Sequence, residues 1–341
     1  MNRKQSGGVF WIILLSLFLS ALLVAAAGAT YVYRVVHQPL SPSEEYFVIK
    51  PGQSFNSFAR QLVSAGLTRE AYSLRAWALW TGQATRIKAG QYTFAGADNL
   101  AAILDRVVQG KVILHQVQFI EGWTFRQLRD VLDQNDKLEH LTPGKSNAEV
   151  MGMLGVPEQH PEGMFFPDTY RFATGTSDLD ILRQAYNAMN RVLEEEWQAR
   201  FDDLPLDSAY DALILASVVE KETGKASERA TISGVFINRL NKRMRLQTDP
   251  TVIYGLGDSF DGNIKRKHLK QDNPYNTYTR RGLPPTPIAM PGRDSIRAAV
   301  QPESTRSLYF VSRGDGSHKF SETLEEHNKA VRKYQLKRKS G

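Results

Sequence analysis

Between Val9 and Tyr33 the chain carries no charged residue, and no other feature limits its possible folds as much. The run is mostly Leu, Val, Ile, Phe and Ala. Wound as a helix, it is long enough to cross the roughly 30 Å hydrocarbon core of a bilayer. Arg3 and Lys4 precede it, which favours a cytoplasmic N-terminus over residues 1–8 and export of everything after the span. Arg34 follows at once, so the charge bias is modest. Ala27-Gly28-Ala29 also resembles the small-residue site of a cleaved signal peptide. An anchor over 9–33 is the preferred reading, because the run is longer than a signal core and ends in the interfacial pair Tyr31 and Tyr33. Either way, the working part is expected on the extracytoplasmic side of the cytoplasmic membrane, which argues strongly against a nucleic-acid partner.

The formal charge of +7 does not reverse that argument. The excess is spread out, and part of it sits in Arg332, Lys333, Lys337, Arg338 and Lys339. A solvated basic tail over 336–341 is preferred to a specific polyanion site. Cysteine is absent, which excludes disulfides, thiolate zinc sites and cysteine nucleophiles. Neither a cofactor nor a metal is expected.

Residues 34–45 contain Pro39, Ser41, Pro42 and Ser43 without periodicity and read as a linker. Tyr46 to Ile49 is a short strand candidate, closed by the turn Lys50-Pro51-Gly52-Gln53. Ser54 then caps a helix in which Phe55, Phe58, Ala59 and Leu62 recur at helical spacing. A second helix is expected around Glu70 to Leu79, and Ile87 to Tyr92 turns into a returning strand. This βααβ unit, bounded at 46–115, looks like a LysM-type module, a fold that binds N-acetylglucosamine-containing glycans. A packing or spacer role is the open alternative. Asp98 is expected to cap a helix through Val108 that stops at Gly110. Val112 to Phe119 reads as a half-buried strand, Thr124 as the cap of another helix, and 137–159 as a mobile helical insertion. The fold class expected is α+β: one transmembrane helix, the small LysM-like βααβ subdomain, then a mixed α+β catalytic domain over 116–335.

The chemistry concentrates after Leu204. Ser208 with Asp211 resembles a capping box, and the helix from Asp211 to Glu220 is apolar nearly all round, as a buried central helix is. Glu220 thus arrives at the end of a buried run, where desolvation would raise its pKa and suit it to act as a general acid. The bland alternative is that it reaches solvent beside Lys221. Glu222 lies about 200° round the helix from Glu220, so the two cannot face one substrate. A retaining glycosidase needs a second carboxylate roughly 5–5.5 Å away and an inverting one roughly 6.5–9.5 Å. The sequence candidates for that mate are Asp249 and Glu162.

Gly224 is expected to end this helix and Ser227 to cap the next, which runs to about Lys242. Arg239 falls within its apolar stripe and Asn238 borders it. A buried arginine demands a partner, so Arg239 is expected to pair with an acid of the preceding helix or of the Asp249 loop, unless it snorkels to the surface. Leu246 to Thr251 reads as an extended polar loop. The prolines between Gly282 and Gly292 suggest a rigid wall, and the aromatic and amide side chains around Tyr275 to Tyr278 suit sugar faces and N-acetyl groups.

Five segments together closely resemble the endolytic murein transglycosylase (YceG-like) family. They are Glu162 to Tyr170 (EGMFFPDTY), Ala216 to Thr223 (ASVVEKET), Val235 to Leu240 (VFINRL), Leu246 to Gly255 (LQTDPTVIYG), and Tyr275 to Tyr278 (YNTY) continuing through Pro291-Gly292. The likeness covers nearly the whole chain. It implies a lytic transglycosylase that cleaves the β-1,4 bond between N-acetylmuramic acid and N-acetylglucosamine without water, leaving 1,6-anhydromuramyl ends. The family's catalytic glutamate maps onto Glu220. Asn238, Arg239, Gln247, Asp249, Thr251, Tyr254, Asn276 and Tyr278 are inferred from motif position to bind substrate or support the site. The implied partners are peptidoglycan glycan strands, the membrane through one helix, and cell-wall synthases beside which nascent strands are terminated. Two rivals remain open: a water-using muramidase with a second carboxylate, and a non-catalytic glycan-binding scaffold.

Overall fold

The structure is a computed structural model, and it describes residues 6–42 and 46–336. The expectations for Arg3 and Lys4, for linker residues 43–45, and for Lys337, Arg338 and Lys339 fall outside the described residues. The apolar run forms helix α1 (Ser6–Val36). Its stretch Val9–Val36 has a mean hydropathy of 2.7, and its most apolar part packs against nothing in the protein. At 1.5 Å per residue it spans ~42 Å, which is long enough and apolar enough to cross a membrane.

The rest of the chain is mixed α+β and divides into two compact units, Met1–His115 with Ala173–Gly175, and Gln116–Phe172 with Thr176–Gly341. In the first, strand β1 (Tyr46–Ile49) leads through a turn into α2 (Phe55–Ser64) and α3 (Tyr72–Trp80), and β2 (Gly90–Thr93) returns antiparallel with Tyr46 opposite Thr93. The order is therefore βααβ. The Ser54 side chain accepts the Ser57 N–H, and Phe55, Phe58, Ala59 and Leu62 are all buried. Helix α4 (Leu100–Gln109) follows and stops at Gly110, which has left-handed backbone with φ 73°. Its cap is Asn99, not the expected Asp98: Asn99 is extended and its side chain accepts the Ala102 N–H, whereas the Asp98 carbonyl is engaged by the Leu40 N–H. Both residues are good caps, and backbone conformation chose between them.

Strand β3 (Leu114–Gln118) pairs with β4 (Thr169–Ala173), and most of both strands belongs to the second unit. Between them lie α5 (Phe125–Asp133), which opens on a full Thr124–Gln127 capping box, and α6 (Asn147–Met153), whose Val150 and Met151 are fully buried. Helices α7 (Asp178–Gln198), α8 (Ala209–Glu222), α9 (Arg229–Asn241), α10 (Asp249–Leu256), α11 (Arg266–Lys270) and α12 (Arg293–Val300) follow. The unit closes with the hairpin β5 (Tyr309–Ser312) and β6 (His318–Ser321) and then α13 (Leu324–Val331).

Helix α8 is the central element. Every residue from Ala212 to Val219 is buried, and α7, α9, α10 and α12 pack around it. An all-round apolar surface can be satisfied only by neighbours on every side, which is why this pattern predicts the centre. Buried Ser217 donates its hydroxyl to the Ile214 carbonyl and accepts the Ile288 N–H, so the proline-rich segment is tied to α8 from below the site. Two sequence expectations about local structure are corrected. Ser227 lies in a 3-10 turn (Ala226–Glu228) and does not cap α9. The stretch expected to be an extended loop turns helical at Asp249, because Pro250 is preset for a first helical turn and Asp249 complements its positive end.

Candidate active site

Glu220 ends the buried part of α8 with only 6% of its side chain exposed. Its Oε2 accepts the Gly292 N–H at 3.1 Å and the Ser295 hydroxyl at 2.6 Å. Gly292 is the N-cap of α12 and Ser295 lies in its first turn, so the carboxyl group meets the positive end of that helix. The other oxygen, Oε1, has an Arg229 guanidinium nitrogen at 3.6 Å. The loop that presents Gly292 is fixed by two backbone bonds, Gly122 N–H to Met290 O and Met290 N–H to Trp123 O. Lys221 reaches the same turn, donating from Nζ to the Gly122 carbonyl at 3.0 Å.

A second carboxyl group belongs to this cluster. Arg229 Nη2 lies 3.5 Å from a Glu121 oxygen as well as 3.6 Å from a Glu220 oxygen, so one guanidinium nitrogen is shared between the two carboxyl groups. Burial first, and then the charge of Glu220, push the Glu121 carboxyl above its usual range, with Arg229 opposing them. Glu121 packs directly on Gly292, where a Cβ would fall 1.9 Å from its Oε1. Only glycine fits there. Neither Glu121, Ser295 nor Arg229 is marked by local sequence, because Glu121 and Ser295 reach Glu220 from distant parts of the chain and Arg229 from the start of the next helix.

The residues expected to support the site are not all in one place. Arg239, Gln247, Asp249 and Tyr278 line a cavity of about 570 Å³ together with Glu222, Tyr309 and His318. There the Tyr278 hydroxyl donates to Asp249 at 2.6 Å, and burial first and then this bond push its pKa up. Tyr254 instead lines a cavity of about 730 Å³ with His160, Glu162 and Tyr275, and its hydroxyl donates to Glu162 at 3.0 Å. Asn238, Thr251 and Asn276 act as braces. Asn238 donates to the carbonyls of Thr305 and Ser307, Thr251 to that of Thr248, and Asn276 to those of His268 and Gln271. Glu220 is among the lining residues of neither cavity.

Arg239 is buried, but its expected acidic partner is replaced by main chain. It donates to the carbonyls of Leu308 at 2.6 Å, Leu246 at 2.7 Å and Arg245 at 3.3 Å, with the Tyr309 ring 5.2 Å from its guanidinium carbon. A planar fork of donors suits carbonyls that converge from two segments, and these satisfy the group without an ion pair. Asp133, His140 and Asp178 bring potential ligand atoms within 4.8 Å of one another. The oxygens of Asp178 already accept bonds from Leu141, Thr142 and Leu179, which makes it a loop brace.

Glu162 and Glu222 are both pushed up to about 7, chiefly by burial. A carboxyl raised in the folded state contributes stability that is complete below its unfolded value near 4.5 and is lost as pH climbs through about 7. The loss is on the order of 3 kcal/mol for each group. Glu222→Gln, which keeps an acceptor for the Thr248 hydroxyl, is therefore expected to melt above the wild type at pH 8 but not at pH 5. Thermal melts at the two pH values check this, and an equal difference at both would contradict it.

The sequence profile of the YceG-like family matches residues 47–333. Over 303 residues the chain is 30% identical to a Bacillus subtilis protein named endolytic murein transglycosylase, covering 84% of this chain and 83% of that one. It is 26% identical to a Streptococcus pneumoniae protein of the same name, over 92% of this chain but 64% of that longer protein. A crystal structure of a YceG-like protein from Listeria monocytogenes superposes with a TM-score of 0.52 at 30% identity, covering 84% of this chain and all of that one.

Proposed function

The chain belongs to the YceG-like family, and from that membership and the setting of Glu220 we propose that it is a lytic transglycosylase acting on peptidoglycan. In this reading Glu220 is first acid and then base. Its proton passes to the leaving oxygen O4 of N-acetylglucosamine as the bond to C1 of N-acetylmuramic acid breaks. The carboxylate then takes the proton of the muramyl 6-hydroxyl as O6 bonds to C1, closing a 1,6-anhydro ring without water. The observation that supports this most is the enclosure of one carboxyl group at the end of the central helix. Two donors fix one of its oxygens while the other lies 3.6 Å from an Arg229 guanidinium nitrogen. A group that must donate and then accept a proton at one place gains from such fixed orientation.

Gln247, Asp249, Tyr278 and Tyr254 are proposed to contact the glycan from the two cavities, and Asn238, Arg239, Thr251 and Asn276 to hold the walls. The βααβ unit is proposed to contact glycan in the manner of a LysM module. The catalytic part is placed outside the cytoplasmic membrane, anchored by α1, where it would end nascent strands beside the synthases.

Digestion of purified sacculi with the full chain in detergent, followed by mass spectrometry, tests the reaction. The expected fragments end in anhydromuramic acid and are one water lighter than hydrolysis products. Ordinary reducing ends would establish the second reading, a hydrolase, with Glu121, which shares Arg229 with Glu220, as the first candidate to test for the second carboxylate. No fragments at all, beside an active control enzyme, would establish a binding scaffold.

A further inference from the structure

The proposed chemistry leaves Arg229 unexplained. Its side chain is only 12% exposed, and its guanidinium stands 3.5–3.6 Å from three carboxylates, those of Glu121, Glu220 and Asp294. Its Nε is buried without a hydrogen-bond partner, so the group is held by charge and not by a full set of bonds. A cation beside a carboxyl group favours the ionised form, which is the wrong form for an acid that must deliver a proton. Something has to offset it.

The charged groups around Glu220 come from four elements. Lys221 lies beside it on α8, and its Nζ is drawn to the Gly122 carbonyl. From α9 comes Arg229, and from α12 comes Asp294. Arg293, also of α12, is turned away to Glu195 and Glu196 of α7. The turn before α5 supplies Glu121, lodged against Gly292, whose own N–H holds Glu220. Asp294 is largely exposed at 63%, so its charge is better screened than that of Glu121 at 48%.

We infer that Glu121 is a positioning residue for the reaction: its carboxylate engages Arg229 from the far side and offsets the cation that orients Glu220. The absence of a side chain at Gly292 makes room for this arrangement. The inference rests on Glu220 being the acid, and it goes further by assigning a role to a residue outside the five family-like segments.

The test is the pH dependence of kcat for sacculus cleavage by the full chain in detergent, from pH 4.5 to 9. A reaction that needs a protonated acid loses rate on the alkaline side, about tenfold per pH unit. In Glu121→Gln the isosteric amide keeps the packing on Gly292 but not the charge. Its alkaline limb is expected to move down by about one unit, with roughly tenfold loss at pH 8 and near-normal rate at pH 5. Glu121→Asp keeps the charge and is expected to keep the wild-type limb. Asp294→Asn, at a screened and exposed carboxylate, is expected to move the limb the same way by a smaller step, and it carries the test if Glu121→Gln does not fold. A limb that stays in place in the neutral variants overturns the inference. So does an equal loss at every pH, which would make Glu121 a direct participant. Glu220→Gln run alongside separates the levels: if it still cleaves, Glu220 is not the acid and the reading on which the inference rests fails; if it is inactive while the limb of Glu121→Gln has not moved, only the role of Glu121 fails.

Discussion

Glu220→Gln is expected to lower glycan cleavage by about 10³-fold, in line with the loss of a group that serves as both general acid and general base. The substitution is nearly isosteric. The glutamine oxygen can still accept both the Gly292 N–H and the Ser295 hydroxyl, which share one oxygen of Glu220, so the contacts that place α12 against α8 survive. What disappears is the transferable proton. The melting temperature should therefore move little while turnover collapses, and the two are measured on the same preparation by a thermal melt and by release of soluble muropeptides. A variant that cuts at the wild-type rate would remove Glu220 from the mechanism and direct attention to Glu121, the carboxylate that shares Arg229 with it.

The largest structural effect is expected at Arg239. Its three carbonyl acceptors lie in two segments, Arg245–Leu246 and Leu308 just before β5, so this side chain staples α9 to both. Arg239→Ala leaves these carbonyls without their donor and opens a void beside the Tyr309 ring. An unsatisfied buried polar group typically costs about 1–3 kcal/mol, and the lost packing adds to it, so a destabilisation of about 3–4 kcal/mol is expected. For a unit of this size that corresponds to a fall in melting temperature of roughly 6–15 °C. Arg239→Lys should recover little, since a single ammonium cannot span acceptors that a planar fork reaches on two sides. A loss below about 1 kcal/mol in a melt of the full chain would mean that water replaces the donors and that the staple matters little.

How far these residues could be read in advance follows from the range of the interactions that place them. Ser54, Thr124 and Ser208 each cap a helix as their sequences suggest, because a cap bond spans three residues and depends only on local backbone. Where two capping residues stand side by side, the same rule is silent. Asn99 is the one whose side chain accepts the Ala102 N–H, while the Asp98 carbonyl accepts the Leu40 N–H from another part of the chain. The burial of Arg239 is legible from its place in an apolar stripe, but its partners are not. The stripe says that a donor must be satisfied without saying whether carboxylate or carbonyl will do it. Similarly, the motif around Tyr254, Asn276 and Tyr278 marks a region of consequence, yet it cannot separate cavity walls from braces.

Sequence alone determined the apolar helix at the N-terminus, the βααβ order, the central place of α8 and the position of Glu220 at its end, since each follows from the periodicity and length of one continuous segment. Tertiary structure alone decided what surrounds that carboxyl group. Glu121, Arg229, Gly292 and Ser295 come from three separate stretches and meet only because the packed helices and the Gly122–Met290 backbone pairing bring them together. Electrostatics between side chains depends on distance in space, and a sequence records distance only along the chain.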